Sequence, residues 1–129
     1  MRICLDTNAY ARIVEKRREL WAVVAEAERV YVPTVVLGEL YAGFECGTRC
    51  EENREILNRF LELPGVDVIP MEQNMAMRYG IVYKQLKKTG RMIPANDLWV
   101  AVTALETGAR LITYDRHFLH VPGLALISP

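Results

Sequence analysis

Three aspartates, Asp6, Asp97 and Asp115, stand where a strand is expected to end or a helix to begin, and Glu39 stands on a helix among small and apolar neighbours. Taken singly, each aspartate is explained as a helix N-cap, worth about 1 kcal/mol. Gathered at one edge, the four would do chemistry. Like charges that close raise one another's pKa, so the cluster either holds protons or binds a cation. With Asn8, Asn96 and Thr113 beside them the donors are all oxygen, a set that suits Mg²⁺ or Mn²⁺. A hard divalent ion in a cleft serves phosphate chemistry, activating water and stabilising the oxygens of an in-line displacement.

Whether the acids meet depends on the elements that carry them, and the stretch from Asn96 to Asp115 is the most informative. Asn96 or Asp97 can cap a helix whose interior from Leu98 to Leu105 is apolar or small nearly all round, and Gly108 falls at the C′ position. A helix of about 12 residues spans about 18 Å, and the strand after Gly108 must return over much of that distance. Asp97 and Asp115 should therefore end close together. In an α/β layer that edge lies beyond the carboxyl ends of the strands, where ligands bind.

The other acids fit the same scheme. Arg2 to Leu5 reads as a buried strand ending at Asp6, and Tyr10, Ile13 and Val14, then Leu20, Val23, Val24 and Ala27, mark two helices separated by a turn at Lys16-Arg17-Arg18. Val30 to Val32 is a second strand closed by Pro33, after which Thr34 can cap a helix with Leu37, Leu40, Tyr41 and Phe44 on its main apolar face and Glu39 opposite. Ile56, Leu57, Phe60 and Leu61 give another helix, ended by Pro64-Gly65, and Val66 to Ile69 a third strand. Met75, Tyr79, Val82, Tyr83 and Leu86 line a long helix that stops near Gly90. Beyond Asp115, Phe118 anchors a single turn and Leu124 to Ile127 forms a last strand. Strands alternating with helices predict an α/β fold: a three-layer, Rossmann-like parallel sheet of about five strands flanked by helices.

At 129 residues one domain, 1–129, is expected, with one core and no linker. Lysine plus arginine balance aspartate plus glutamate at 16 each, which argues against nucleic-acid binding driven by overall charge. The N-terminus lacks a signal-peptide pattern and no apolar run approaches a membrane span, so a cytoplasmic protein is expected. Three cysteines make no disulfide framework: Cys4 reads as core, and Cys46 and Cys50 as free thiols.

Some residues carry two readings. Lys84, Lys87, Lys88 and Arg91 suit the C-terminal dipole of their helix, or border the acidic crevice and, with Arg116, hold a polyanion by its phosphates. Trp99 and Tyr114 can stack on a base or pack in the core. His117 and His120 lack the partners of a zinc site, which favours surface roles or support of the acids.

Four segments, Leu5-Asp6-Thr7-Asn8, Val32 to Leu40, Asn96 to Ala101 and Thr113 to Phe118, stand in the order and approximate spacing of a known family. Together they resemble the PIN domain, and within it the VapC-type toxins of bacterial and archaeal toxin–antitoxin pairs. The resemblance implies a Mg²⁺- or Mn²⁺-dependent endoribonuclease, usually dimeric and held inactive by a cognate antitoxin whose tail enters the cleft, with tRNA a common substrate. Asp6, Glu39, Asp97 and Asp115 match the family's acidic quartet, and Thr113 its hydroxyl beside the last acid. Asp6 and Asp97 are implied as metal ligands, Glu39 as binding the metal directly or through water and orienting the attacking water, and Asp115 as completing the shell, with hydrolysis leaving a 5′-phosphate and a 3′-hydroxyl. Some members carry a further acid where this chain has His117. The competing readings are a non-catalytic RNA- or protein-binding module and a phosphohydrolase with Asp6 as nucleophile, the latter weakened by Asn8.

Overall fold

The computed structural model describes residues 1–15 and 18–129, so the turn expected at Lys16 and Arg17 lies outside the described residues. In chain order the elements are β1 (Arg2–Leu5), α1 (Thr7–Val14), α2 (Arg18–Glu26), β2 (Arg29–Pro33), α3 (Thr34–Cys46), α4 (Cys50–Leu61), β3 (Val66–Ile69), α5 (Gln73–Thr89), α6 (Ala95–Thr107), β4 (Arg110–Ile112), a 3₁₀ turn (Arg116–His120) and β5 (Leu126–Ile127). The strands form one sheet in the order β3-β2-β1-β4-β5, every pair parallel. The α/β expectation holds.

Ile3, Cys4 and Leu5 are wholly buried, as a central parallel strand covered on both faces requires. Burial also pushes the Cys4 thiol pKa up, leaving it a small apolar filler. From β1 the chain steps one way to β2 and β3, then crosses to β4 on the other side. Right-handed connections made in two directions put their helices on opposite faces of the sheet. The reversal leaves a crevice between the carboxyl ends of β1 and β4. Leu5 pairs with Ile112, which sets Asp6 level with Thr113 at that crevice.

Helix α6 is buried at Leu98 and from Val100 through Ala104, and Gly108, at φ 66°, ends it in the left-handed conformation that a side chain would strain. Helix α5 lies antiparallel to it: the Met75 sulfur lies 3.8 Å from the Thr103 hydroxyl near the end of α6, while Tyr79, one turn further along α5, packs on Trp99 near its start. The last turn of α5, with Lys84, Lys87 and Lys88, therefore stands at the end of α6 that carries Asp97.

Several local expectations change. Neither Asn96 nor Asp97 caps α6: Pro94 occupies that position, extended at ψ 147°, and the helix begins at Ala95 with no side-chain cap. The ring fixes φ and holds Ile93 extended, so the chain enters the helix directly from proline. Pro33 likewise precedes α3, and the Thr34 hydroxyl donates instead to the Ile69 carbonyl at 2.8 Å. The buried stripe of α3 is Val36 and Leu40, which places Glu39 at its margin, half-buried, rather than opposite. Tyr83 is exposed, stacked on Tyr79 at the rim, because α5 buries only Met75, Val82 and Leu86. Val14 is exposed too, and β5 is shorter than expected, paired at Leu126 and Ile127 alone. Among the described residues no helix is long and apolar enough to cross a membrane.

Candidate active site

Asp6 leaves β1 as the N-cap of α1, its Oδ1 accepting the Ala9 amide at 2.8 Å. Its Oδ2 accepts the Thr113 hydroxyl proton at 2.6 Å, and the same hydroxyl oxygen accepts the Asp115 amide at 3.0 Å. Thr113 thus ties the end of β1 to the loop after β4. The next residue along α1 ties in the fourth acid: the Thr7 hydroxyl donates to Glu39 Oε1 at 2.7 Å. Thr7 did not stand out as a site residue in the sequence. Its position directly after a strand-terminal aspartate is the signal that could have found it.

Asp115 caps the 3₁₀ turn, and that turn brings His117 back between two acids. Its Nδ1 lies 3.1 Å from Asp115 Oδ1 and its Nε2 lies 2.9 Å from Asp97 Oδ2. The Nε2–H does not point at Asp97, so that buried nitrogen has a close carboxylate and no aligned hydrogen bond. Donor atoms of Asp97, Asp115 and His117 all fall within 4.8 Å of one another. Asp97 owes its place to the first turn of α6, where the positive end of the helix dipole favours a carboxylate and no capping duty engages it.

Burial pushes the Asp6 carboxyl pKa up; bonds from Thr113 and Ala9 oppose this, and the charges of Asp115 and Glu39 add to it. Asp97 is also pushed up by burial, opposed by His117 and reinforced by Glu39, Asp115 and Asp6. Both feel Asp115 and Glu39, and Asp97 also feels Asp6, so the four carboxylates share one electrostatic site. A crowded oxygen-donor set whose members hold their charge at a cost fits a hard divalent cation. The carboxylates are the donors that suit Mg²⁺ or Mn²⁺, and the imidazole is the softer group among them.

Around this core the other candidates spread out. Asn8 and Asn96 are exposed on the first turns of α1 and α6, and neither bonds to the acids among the described residues. Lys84, Lys87, Lys88, Arg91 and Arg116 are exposed and form no ion pair among the described residues. Trp99 packs on Tyr79 at a ring separation of 4.4 Å, and Tyr114 lies beneath the Arg12 guanidinium at 4.4 Å. His120 is exposed. Cys4, Cys46 and Cys50 are free.

The PIN domain family model matches residues 3–124. The chain is similar to ribonuclease VapC2 of Rickettsia felis, 27% identical over 127 residues that cover 95% of this chain and 93% of the relative. It is also similar to ribonuclease VapC1 of Haemophilus influenzae, 33% identical over 116 residues that cover 86% and 84%. Among solved structures, VapBC-1 from nontypeable Haemophilus influenzae superposes with a TM-score of 0.89 at 26% identity, over 99% of this chain and 98% of that one.

Proposed function

The chain belongs to the PIN domain family, and from that membership and its acidic site we propose that it is a Mg²⁺- or Mn²⁺-dependent endoribonuclease, the toxin of a toxin–antitoxin pair. The observation that carries the reading is the convergence of the acids: donor atoms of Asp97, Asp115 and His117 lie within 4.8 Å of one another, and Thr113 ties Asp6 to the Asp115 backbone. Asp6 and Asp97 are both raised by burial and by neighbouring acids, at the crevice where the strand order reverses. No charge-balancing lysine or arginine contacts them among the described residues, and His117 is the one basic group in reach.

Asp6, Asp97, Asp115 and Glu39 would hold the ion, and when bound it supplies charge neutralisation and polarisation at the phosphate. Thr113 fixes one oxygen of Asp6 and the backbone of Asp115, so that these carboxylates are positioned before substrate arrives. Glu39, steadied by Thr7 on one oxygen, keeps the other for a water attacking the phosphorus. By likeness to the family, the 3′ oxygen leaves, giving a 5′-phosphate and a 3′-hydroxyl. Lys84, Lys87, Lys88 and Arg91 hold the flanking phosphates by charge.

For the antitoxin, α1, α2, α4 and Leu63 after it offer a largely apolar cavity away from the acids. The cavity, of about 470 Å³, is lined by Ile13, Val14, Trp21, Ile56, Phe60 and Leu63, with Arg59 as its one charged wall residue among the described residues. Val14, Trp21 and Leu63 leave apolar surface at its mouth, 38%, 41% and 45% exposed. A peptide segment with apolar anchors fits it.

The test is cleavage of a total-RNA pool by antitoxin-free protein, with Mn²⁺ and with chelator, beside Asp6→Asn and Asp97→Asn. Metal-dependent cutting that both substitutions remove is expected. A folded protein that binds metal and cuts nothing would return the chain to the class of binding modules.

A further inference from the structure

Beside the acidic cluster, at the carboxyl ends of β4 and β5, lies a cavity of about 400 Å³ that none of the proposed catalytic steps uses. Its walls include Thr113 and Asp115 on the side of the cluster and Tyr114, Arg116, Leu119 and Leu126 on the other. Anything seated there touches Asp115, so it lies within one residue's reach of the reacting phosphate. The volume is near the lower bound for small-ligand sites, enough for a single nucleotide.

The lining is mixed in the way a nucleobase needs. Leu119, 65% exposed, and Leu126 offer apolar surface to a ring face. Arg116 is exposed and unpaired among the described residues, so its fork of donors is free for acceptors on a base edge. Tyr114, half-buried, forms part of the wall. Its ring is held in place by Arg12 stacked above it. These are features of a built recognition site, and the acids themselves read no base.

We propose that this cavity is the subsite for the nucleobase adjoining the cleaved phosphodiester, with Arg116 and Leu119 setting which base is accepted. The assignment rests on the nuclease reading for the word cleaved, but the binding it requires can be measured apart from cleavage.

Backbone amide shifts would be followed by NMR as the wild-type chain is titrated with each of the four nucleoside 5′-monophosphates in Mg²⁺. Shifts concentrated at residues 113–119 and 126–127 are expected, with a preference of about tenfold or more for one base, the scale on which a single pocket contact discriminates. Leu119→Trp fills the cavity from an exposed position, and Arg116→Ala removes the donors. Both should abolish the preference while leaving Mg²⁺-induced shifts at Asp6 and Asp97 unchanged. On RNA, both should broaden the base found next to the cut. The proposal is overturned if nucleotides shift other regions only, or if both variants keep the wild-type base preference. A chain that cuts no RNA but binds a nucleotide at 113–119 would lose the nuclease reading and keep the pocket.

Discussion

Thr113 and Asp6, 107 positions apart in sequence, share a buried hydrogen bond of 2.6 Å between a hydroxyl and a carboxylate. The bond exists because β1 and β4 are neighbours in register, Leu5 opposite Ile112. It holds Asp6 against its own tendency to take up a proton, since burial and two nearby acids push that carboxyl up and Thr113 pulls it down. Replacing Thr113 by valine keeps the shape and deletes the donor. The Asp115 amide would lose its acceptor as well. The expected cost is about 1–3 kcal/mol in denaturant unfolding, with a fall of about 10–100-fold in metal affinity or cleavage. Unchanged metal affinity would show that the carboxylates need no such support.

Asp97 makes the pH dependence of the metal-free protein testable. Its folded pKa is raised, as is that of Asp6, so each binds protons more tightly folded than unfolded. The associated stability is fully present below the unfolded value, about 4, and is lost as pH rises through the folded values. Asp97→Asn should therefore melt higher than wild type at pH 7 without metal, and lose that advantage near pH 3. Cleavage should fall to background. Adding Mg²⁺ should raise the wild-type melting temperature by mass action, and do so far less in the variant. Melting curves at the two pH values, with and without Mg²⁺, decide the matter.

His117 opposes the rise of the Asp97 pKa through the 2.9 Å contact with its carboxylate. Removing the imidazole in His117→Ala should let the Asp97 carboxyl titrate at still higher pH. Carboxyl ¹³C shifts followed against pH would read this directly. The acid limb of the cleavage profile should move in the same direction, because a protonated Asp97 holds metal poorly. If neither moves, the histidine is a bystander and the cluster balances itself.

Much of this site was legible in the sequence because strand ends are. Asp6 closes a short apolar run, and Asp115 follows one after Gly108, so a parallel layer had to bring both to one edge. Asp97 was placed correctly but for the wrong local reason: a proline, with no side-chain bond to give, starts its helix. That difference has a consequence, since an aspartate spared from capping gives up neither oxygen to the helix backbone. His117 was not legible as a bridge. Its direction is set by a 3₁₀ turn that no periodicity announces, and Asp97, which it meets, is 20 residues away in the sequence. The depth of Glu39 was also hidden, because the inward stripe of α3 is Val36 and Leu40 rather than the larger side chains that look more hydrophobic on paper.

The lysines at the end of α5 have the plainest test. Lys87 and Lys88 occupy the last turn of that helix, a placement the dipole alone would justify. Yet α5 and α6 are antiparallel, so the same turn stands at the end of α6 that carries Asp97. If they hold phosphates, Lys87→Ala with Lys88→Ala should weaken RNA binding uniformly across sequences. Two fewer contacts to a single strand should flatten the plot of log affinity against log salt by about 1.4. Helix capping predicts something else: a small loss of stability, about 0.3–1 kcal/mol per residue at low salt, and no change of slope. Measuring binding to a catalytically silent Asp97→Asn background over 50–200 mM salt separates the two, because stability and slope are read from different experiments on the same pair of proteins. A reduced slope with intact base preference would also keep the lysines apart from Arg116, whose loss should change which base is taken rather than how steeply salt competes.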